Sequence, residues 1–371
     1  MRKRLLIVLL LAGGVLGIAV GVPEVRDVWW GALRGEPFHD GRPLRYWLRT
    51  LHSGDAPARE RAALALGQMG SASSKVLPAL CDALQDDSYT VRRNAAQALG
   101  EIGPPARETA PALIHALHDA DARVRWAAVR ALGQIDPNPA EAVPELMTLA
   151  RAEPDGPTRT GAIVALGKLG PAAAPAIPVL VDALKESPRP DADPAEAARE
   201  ALQRIGPAAV PALVTACEQG NPRTRASAAQ ALGDMGEPAR AAVPALRALL
   251  QDADASVRVR AAEALEKLDG QAEATVPVLA EVLRGSNREA RADALVVLGN
   301  MGPKAAGAVD AIQGCLRDEN EALRQTAAHT LAKIGPPARA ALPTLEVVAR
   351  EDREAEVRRA AAAALDAIRG K

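Results

Sequence analysis

Aromatic side chains are scarce in this chain of 371 residues. It contains four tryptophans, two tyrosines and one phenylalanine, and all but Tyr89 and Trp126 precede residue 48. One large core built only from alanine, leucine, valine and isoleucine would be poorly filled, whereas thin layers of helices pack closely on small side chains. The composition therefore favours an all-α helical array over a single globular core.

Neither sign of charge is in excess. Lysine and arginine number 45, aspartate and glutamate number 46, and the formal net charge is -1. A nucleic-acid binder needs surplus cations to replace the counterions around phosphates. The overall charge therefore gives no support to a nucleic-acid partner.

Cysteine is also rare. Cys81, Cys217 and Cys315 are odd in number and far apart, and each lies within an apolar helical stretch. We interpret them as small core residues rather than as disulfide partners.

The beginning of the chain predicts a membrane anchor. Cations at positions 2 to 4 precede an uncharged run from Leu5 to Val22, which would be about 27 Å long as a helix and could span a bilayer core. The positive-inside rule places those cations in the cytoplasm. We therefore predict a transmembrane signal anchor at residues 1–22 of a bacterial inner-membrane protein, with the repeat domain outside the cytoplasm.

A cleaved signal peptide is the alternative. Ala19 and Gly21 provide small side chains at the positions that usually precede a cleavage site. In that case the protein would be secreted or periplasmic.

A motif of the form Ala-Leu-Gly-x-Ile-Gly returns about every 33 residues between residue 43 and the end. Self-similarity at such a period is typical of solenoid proteins. We predict a repeat domain at 43–371, preceded by a linker at 23–42. The marker leucines of the ten repeats are Leu66, Leu99, Leu132, Leu166, Leu202, Leu232, Leu265, Leu298, Leu331 and Leu365.

Each repeat is predicted to form two helices. The first begins at a proline, as at Pro111, Pro144 and Pro277, because proline in the first turn loses no hydrogen bond. The second begins after a capping side chain and ends at a glycine such as Gly103. The predicted caps are Asp55, Asp121, Asp155, Asp191, Asn221, Asp254, Asn287 and Asn320.

Two positions of the second helix are almost uniform. Alanine stands four residues before every marker leucine, which predicts a close helix crossing, and arginine stands seven residues before it in all repeats except the fifth, where Ala195 replaces it. An arginine repeated beside loop aspartates predicts a structural ladder of ion pairs and carbonyl contacts between neighbouring repeats. The ladder arginines are Arg59, Arg92, Arg125, Arg159, Arg225, Arg258, Arg291, Arg324 and Arg358.

The pattern Asp-x-x-Val-Arg-x-x-Ala-Ala-x-Ala-Leu-Gly-x-Ile-Gly resembles HEAT repeats, and more narrowly the HEAT-like repeats named after phycobiliprotein lyases. Residues 121–133 follow it closely, from Asp121 onward, although Val129 interrupts the alanines. The resemblance implies a right-handed α-solenoid of about ten two-helix HEAT-like repeats, whose second helices line a concave surface. Most members of the family are adaptors or scaffolds, and a few are enzymes.

The sequence offers little for catalysis. His115 and His118 stand one turn apart without a third metal ligand nearby, and no histidine is followed by glutamate, the ligand pair of HEAT-like hydroxylases. Asp252 and Asp254 begin like a calcium loop, but Val257 occupies the place of its required glycine. We expect no enzymatic activity, metal or cofactor. The alternative is a bilin-lyase-like enzyme or enzyme subunit.

The candidate binding surface is the outward stripe of the second helices, six and two residues before each marker leucine and two after it. Trp126 is exceptional because the stripe elsewhere carries polar or small residues; it is either a contact between repeats or a protein-binding hot spot. We predict a membrane-tethered scaffold that binds an unidentified protein on its concave face. The predicted protein-binding residues are Arg93, Gln97, Trp126, Arg130, Gln134, Val164 and Lys168.

Overall fold

The computed structural model describes residues 23–70, 74–154 and 156–370, so the anchor predicted at residues 1–22 lies outside the described part. The chain divides into two compact units. The first comprises the described residues of Met1–Ala176 together with Arg189–Pro194, and the second comprises Ile177–Pro188 together with the described residues of Ala195–Lys371.

The first unit begins with a helix and a hairpin where a linker was predicted. Helix α1 (Pro23–Leu33) is followed by the antiparallel strands β1 (Phe38–His39) and β2 (Arg42–Pro43). Gly31 of α1 lies so close to β2 that an added Cβ would collide with the ring of Pro43. The segment is therefore packed against the hairpin that leads into the repeats.

The rest of the first unit consists of helix pairs. The second helix of each pair packs against the second helix of the next, and the first helices lie on one side of that layer. The helices are α2 (Leu44–Ser53), α3 (Ala56–Met69), α4 (Val76–Ala83), α5 (Tyr89–Ile102), α6 (Ala110–Ala116), α7 (Ala122–Ile135), α8 (Pro139–Ala152) and α9 (Gly156–Lys168).

The second unit continues the same alternation. Its helices are α10 (Ile177–Ala183), α11 (Pro194–Ile205), α12 (Val210–Gln219), α13 (Pro222–Met235), α14 (Val243–Leu249), α15 (Ala255–Asp269), α16 (Ala272–Arg284), α17 (Arg288–Met301), α18 (Val309–Cys315), α19 (Glu321–Ile334), α20 (Leu342–Glu351) and α21 (Ala355–Arg369). Pro194, the first residue of α11, is assigned to the first unit.

The predicted inner-membrane location is contradicted. None of the described helices is long and apolar enough to cross a membrane. The longest of them, α15 and α21, have 15 residues, whereas a bilayer core requires about 20.

Small side chains hold the second helices together, as the sequence predicts. The alanine four residues before each marker leucine is fully buried in all ten repeats. Because alanine adds no bulk beyond Cβ, the helix axes approach closely at each crossing. These alanines are Ala62, Ala95, Ala128, Ala162, Ala198, Ala228, Ala261, Ala294, Ala327 and Ala361.

Most predicted caps are confirmed, and one is wrong. Asp55 accepts from the amide of Ala58, and five further predicted caps likewise accept from first-turn amides. Asp191 is no cap, because a turn in which Arg189 and Ala192 exchange backbone hydrogen bonds delays the start of α11 to Pro194. Asp155 lies outside the described residues.

The predicted proline starts are only partly correct. In several repeats a 3-10 turn, such as Pro104–Thr109, precedes the first helix. The predicted proline, here Pro111, is then the second residue of that helix. Pro144 and Pro277 instead lie inside α8 and α16. In those two repeats the turn before the proline is already α-helical, so the helix begins five residues before the proline.

The cysteines carry free thiols. Cys217 and Cys315 are buried, as predicted, whereas Cys81 is half-buried. Burial raises the pKa of Cys217 to about 12, so this thiol stays protonated near neutral pH.

Candidate functional site

The ladder arginines reach from one repeat into the next. Arg92 donates from Nε and Nη2 to the carboxylate of Asp119 at 2.7 and 3.0 Å, and from Nη1 to the carbonyl of Asp86 at 2.8 Å. Such a two-point contact fixes both the angle and the distance between neighbouring repeats. Arginine and acid form the same contact in Arg59 with Asp86, Arg125 with Glu153, Arg225 with Asp252 and Arg324 with Asp352.

The remaining ladder arginines vary this contact. Arg291 pairs with Asp318 at 2.7 Å and also donates to Sγ of Cys315, and Arg159 donates to the carbonyl of Ala150. Arg258 and Arg358 donate to loop carbonyls.

Several of the carboxylates that pair with the ladder arginines have lowered pKa values. Burial raises the pKa of Asp119, but hydrogen bonds from Arg92 and from the amide of Asp121 outweigh it, so the pKa is lowered overall. Asp352 has a lowered pKa chiefly because of its hydrogen bond from Arg324. Both carboxylates are therefore ionised in the folded protein near neutral pH.

Trp126 lies on the surface of the first unit. Its side chain is 40% exposed, so it is not a core residue, and the guanidinium of Arg130 lies 5.4 Å from the centroid of its ring. This distance is within the range of cation–π attraction.

Two clefts flank Trp126. The larger, about 280 Å³, lies toward α9 and is lined in part by Val129, Pro157 and Val164. The smaller, about 40 Å³, lies toward α5. The seven predicted binding residues all line one cleft or the other, and together they form what we call the Trp126 face: Arg93, Gln97, Trp126, Arg130, Gln134, Val164 and Lys168.

Glycine allows long side chains to lie flat on this face. A Cβ at Gly133 would stand 3.4 Å from Cδ of Lys168, and one at Gly100 would collide with the amide of Gln134. Each glycine directly follows a marker leucine. The side chains of Lys168 and Gln134 therefore lie along the preceding helix, and Lys168 stays exposed to solvent.

The cations of the Trp126 face have no acidic partner among the residues that the structure describes. Arg93 donates only to the side chain of its neighbour Asn94, at 3.0 and 3.2 Å. Neither Arg130, which lies over the Trp126 ring, nor Lys168 forms an ion pair within the described ranges. Positive charge on this face is therefore left uncompensated.

Around Lys267 in the second unit, the cations of the same surface are paired with acids of that unit. Lys267 contacts Asp234 at 2.8 Å and Glu263 at 2.9 Å, and Arg260 contacts Glu263 at 3.1 Å. Arg199 and Asp293 extend this network at its two ends, through Asp234 and Arg260 respectively. Burial raises the pKa of Asp293 despite the neighbouring Arg260, so the network is not uniformly favourable.

Two features of the surface were not predicted from the sequence: Asp191 as a lining residue and the network of the second unit. Asp191 lies at the larger cleft because the turn at 189–192 folds back within the first unit. The network had a signal, since Asp234 and Lys267 stand two residues after consecutive marker leucines and carry opposite charges.

The other candidate sites do not come together. His115 and His118 are exposed, and His118 contacts Glu145 at 3.3 Å. Among the described residues no group of three possible ligands could hold a metal ion. Asp252 pairs with Arg225, and Asp254 caps α15, so both acids of the calcium-like string have structural partners.

Family comparison agrees with this architecture. The model of the HEAT repeats matches residues 44–113, 110–203, 177–266 and 276–366. The chain belongs to the HEAT-repeat family, and its fold is a HEAT-repeat solenoid. The narrower resemblance to phycobiliprotein-lyase repeats stays a prediction.

Solved structures resemble the fold. The karyopherin Kap121p bound to the SUMO protease Ulp1p has a TM-score of 0.70 at 15% identity, covering 89% of this chain and 42% of that one. Kap121p bound to Nup53p has a TM-score of 0.67 at 15% identity, covering 89% and 42%. Kap95p, in a structure with RanGDP, has a TM-score of 0.66 at 15% identity, covering 88% and 51%.

This chain therefore spans about half of those chains or less, and at such identity the likeness concerns the fold alone. No curated protein matches it.

Proposed function

We propose that this chain is a protein-interaction scaffold and that its binding surface is the Trp126 face. The observation that carries the proposal is an exposed tryptophan between two clefts, beside cations that no acid of the described residues pairs with. Tryptophan and arginine dominate the hot spots of protein interfaces because they bury large areas and donate several hydrogen bonds.

The fold supports a binding function. Kap121p, which resembles this chain, has been crystallised with Ulp1p, with the extreme C-terminus of Cdc14p and with Nup53p. A row of second helices presents a long, regular surface to a partner, because each repeat contributes the same register positions.

Recognition suits the face better than catalysis does. The clefts offer guanidinium, ammonium, amide and aliphatic groups, and the described part of their lining holds one carboxylate each, Glu101 in the smaller and Asp191 in the larger. Glu101 accepts a hydrogen bond from Gln97 at 2.8 Å. We accordingly propose binding without chemical conversion of the partner.

Site-specific photo-crosslinking tests the proposal. A photoreactive amino acid replaces exposed Gln97 in the Trp126 face, and the matched control carries it at Val347, an exposed residue of α20 in the second unit. A defined protein adduct should form from position 97 in the native host and disappear when Trp126→Ala is added. Equal adducts from both positions, or an adduct that persists without Trp126, would contradict the proposal.

A further inference from the structure

The charge of the Trp126 face points to one class of partner. Resting on the proposed function, we propose that the face binds an extended, acidic segment of a partner protein that inserts one bulky apolar side chain beside Trp126. Three features support this partner: the arrangement of the cations, the apolar wall of the larger cleft and the contrast with the second unit.

The unpaired cations advance along the helices from repeat to repeat. Arg93 stands six residues before its marker leucine, Arg130 two residues before, and Lys168 two residues after. Successive cations therefore shift by about one helical turn as well as by one helix. They form a diagonal across α5, α7 and α9.

This diagonal matches the reach of an extended peptide. Neighbouring helices lie about 10 Å apart, and one turn adds about 6 Å along the axis. The backbone positions of the three cations therefore span about 23 Å, which is the length of about seven extended residues. A carboxylate at every third or fourth position could contact each cation in turn.

The larger cleft supplies the apolar contact. Trp126, the buried Val129, Pro157 and Val164 line its wall, and the volume of about 280 Å³ admits one large aliphatic or aromatic side chain. An anchor of this kind, flanked by polar contacts, is the usual arrangement of a peptide-binding groove. Among the described residues, the lining contains one carboxylate, that of Asp191, against cations at Arg130 and Lys168.

A lysine of the second unit at the same register position differs from Lys168 in being paired with acids. Lys267 occupies the register position of Lys168 but contacts both Asp234 and Glu263. An acidic peptide would have to displace these carboxylates there, whereas the cations of the Trp126 face have no acid to give up within the part of the chain that the structure describes. Charge complementarity therefore selects the first unit and an acidic occupant.

Binding of synthetic peptides to the full-length chain tests the inference. The probe is a short fluorescein-labelled peptide in which glutamates flank a central Phe-Leu pair, and its counterparts carry glutamine or lysine instead of glutamate. Fluorescence anisotropy should show binding of the acidic peptide that is at least about tenfold tighter than that of the other two and weakens as salt is added.

Lys333 provides the matched control. It stands two residues after its marker leucine, and its Cδ lies 3.3 Å from where a Cβ of Gly299 would be, much as Lys168 lies over Gly133. Lys168→Glu should weaken acidic-peptide binding by about tenfold or more, and Lys333→Glu should leave it unchanged. Thermal melts of the two variants should agree, since both lysines are exposed.

The outcomes separate the inference from the proposed function. Preference for the lysine peptide, lost in Trp126→Ala, would overturn the acidic partner and leave the binding face intact. Equal loss in both lysine variants would overturn the location of the site. If no peptide binds and crosslinks from position 97 are absent as well, the binding function itself fails.

Discussion

Arg324 Nε donates to Asp352 Oδ2 at 2.7 Å, with side chains only 6% and 8% exposed. Both groups are therefore almost removed from water, and each depends on the other for compensation of its charge. Removal of one partner from such a pair leaves the other buried and unpaired.

We predict that Arg324→Met lowers the free energy of unfolding by about 3 kcal/mol, because Asp352 then stays buried without its counterion. Chemical denaturation followed by circular dichroism measures the change. Arg258→Met is the control: Arg258 donates to the carbonyls of Asp252 and Ala253, and within the described residues no acid pairs with it. A loss as large in the control would show that the carbonyl contacts within a repeat, and not the ion pair to the next repeat, account for the stability.

Acid should destabilise the folded array through its ladder. The pKa values of Asp86, Asp119, Asp252 and Asp352 are lowered from their usual 3.8. Their contribution is therefore complete above the unfolded value and is lost as pH falls through the folded pKa values. Unfolding measured between pH 6 and pH 2 should show stability falling below about pH 4. Asp119→Asn should flatten this dependence, and an unchanged slope would refute the assignment.

Trp126→Ala should weaken partner binding by about 2 kcal/mol and leave the melting temperature nearly unchanged, because the ring is 40% exposed. Leu132→Ala in the same helix is the contrast: its side chain is 1% exposed, so the truncation should cost about 3 kcal/mol of stability. Differential scanning calorimetry distinguishes the two before any partner is known. If both variants lowered the melting temperature equally, Trp126 would contribute to stability as a core residue does.

Replacing a glycine at a helix crossing, even by alanine, should destabilise the fold. A Cβ at Gly67 would stand 2.6 Å from Cβ and 2.9 Å from Cα of Ala98, so Gly67→Ala must push α3 and α5 apart. We expect a loss of about 2 kcal/mol in chemical denaturation. Gly314→Ala in α18 meets nothing within 4 Å and should be neutral or stabilising by up to about 1 kcal/mol.

Limited proteolysis should begin between α10 and α11. Lys185 is exposed and follows the end of α10, and the loop runs to Pro194. We expect the first tryptic cut after Lys185, since Pro190 protects the bond after Arg189 from trypsin. Mass spectrometry of early fragments identifies the site, and Lys185→Gln should delay the cut. A first cut inside any repeat helix would contradict this.

Much of this architecture could be predicted from the sequence because the repeats agree with one another. A single alanine predicts little, but an alanine four residues before each of the ten marker leucines indicates a helix crossing at that position of every repeat. The helix caps could be predicted for the same reason, since Asn221 and Asp254 stand at the same distance before their marker leucines.

Departures from the repeat were harder to predict. The fifth repeat lacks its ladder arginine, which Ala195 replaces, and the boundary between the compact units falls in this repeat. The late start of α11, however, depends on a turn closed by Arg189 and Ala192 that no propensity predicts. Likewise, only the folded chain shows that no acid of the described ranges pairs with Arg93, Arg130 or Lys168, because pairing is decided by side chains from other repeats.

The ladder also affects how such a chain can change its length. Arg92 pairs with an acid 27 residues further on, in the following repeat, and Arg225 does the same with Asp252. A typical repeat thus carries the acid required by the repeat before it and the arginine required by the repeat after it. A gene duplication that copies one whole repeat would bring both halves of a new connection, so repeat number can grow without new partners having to be found.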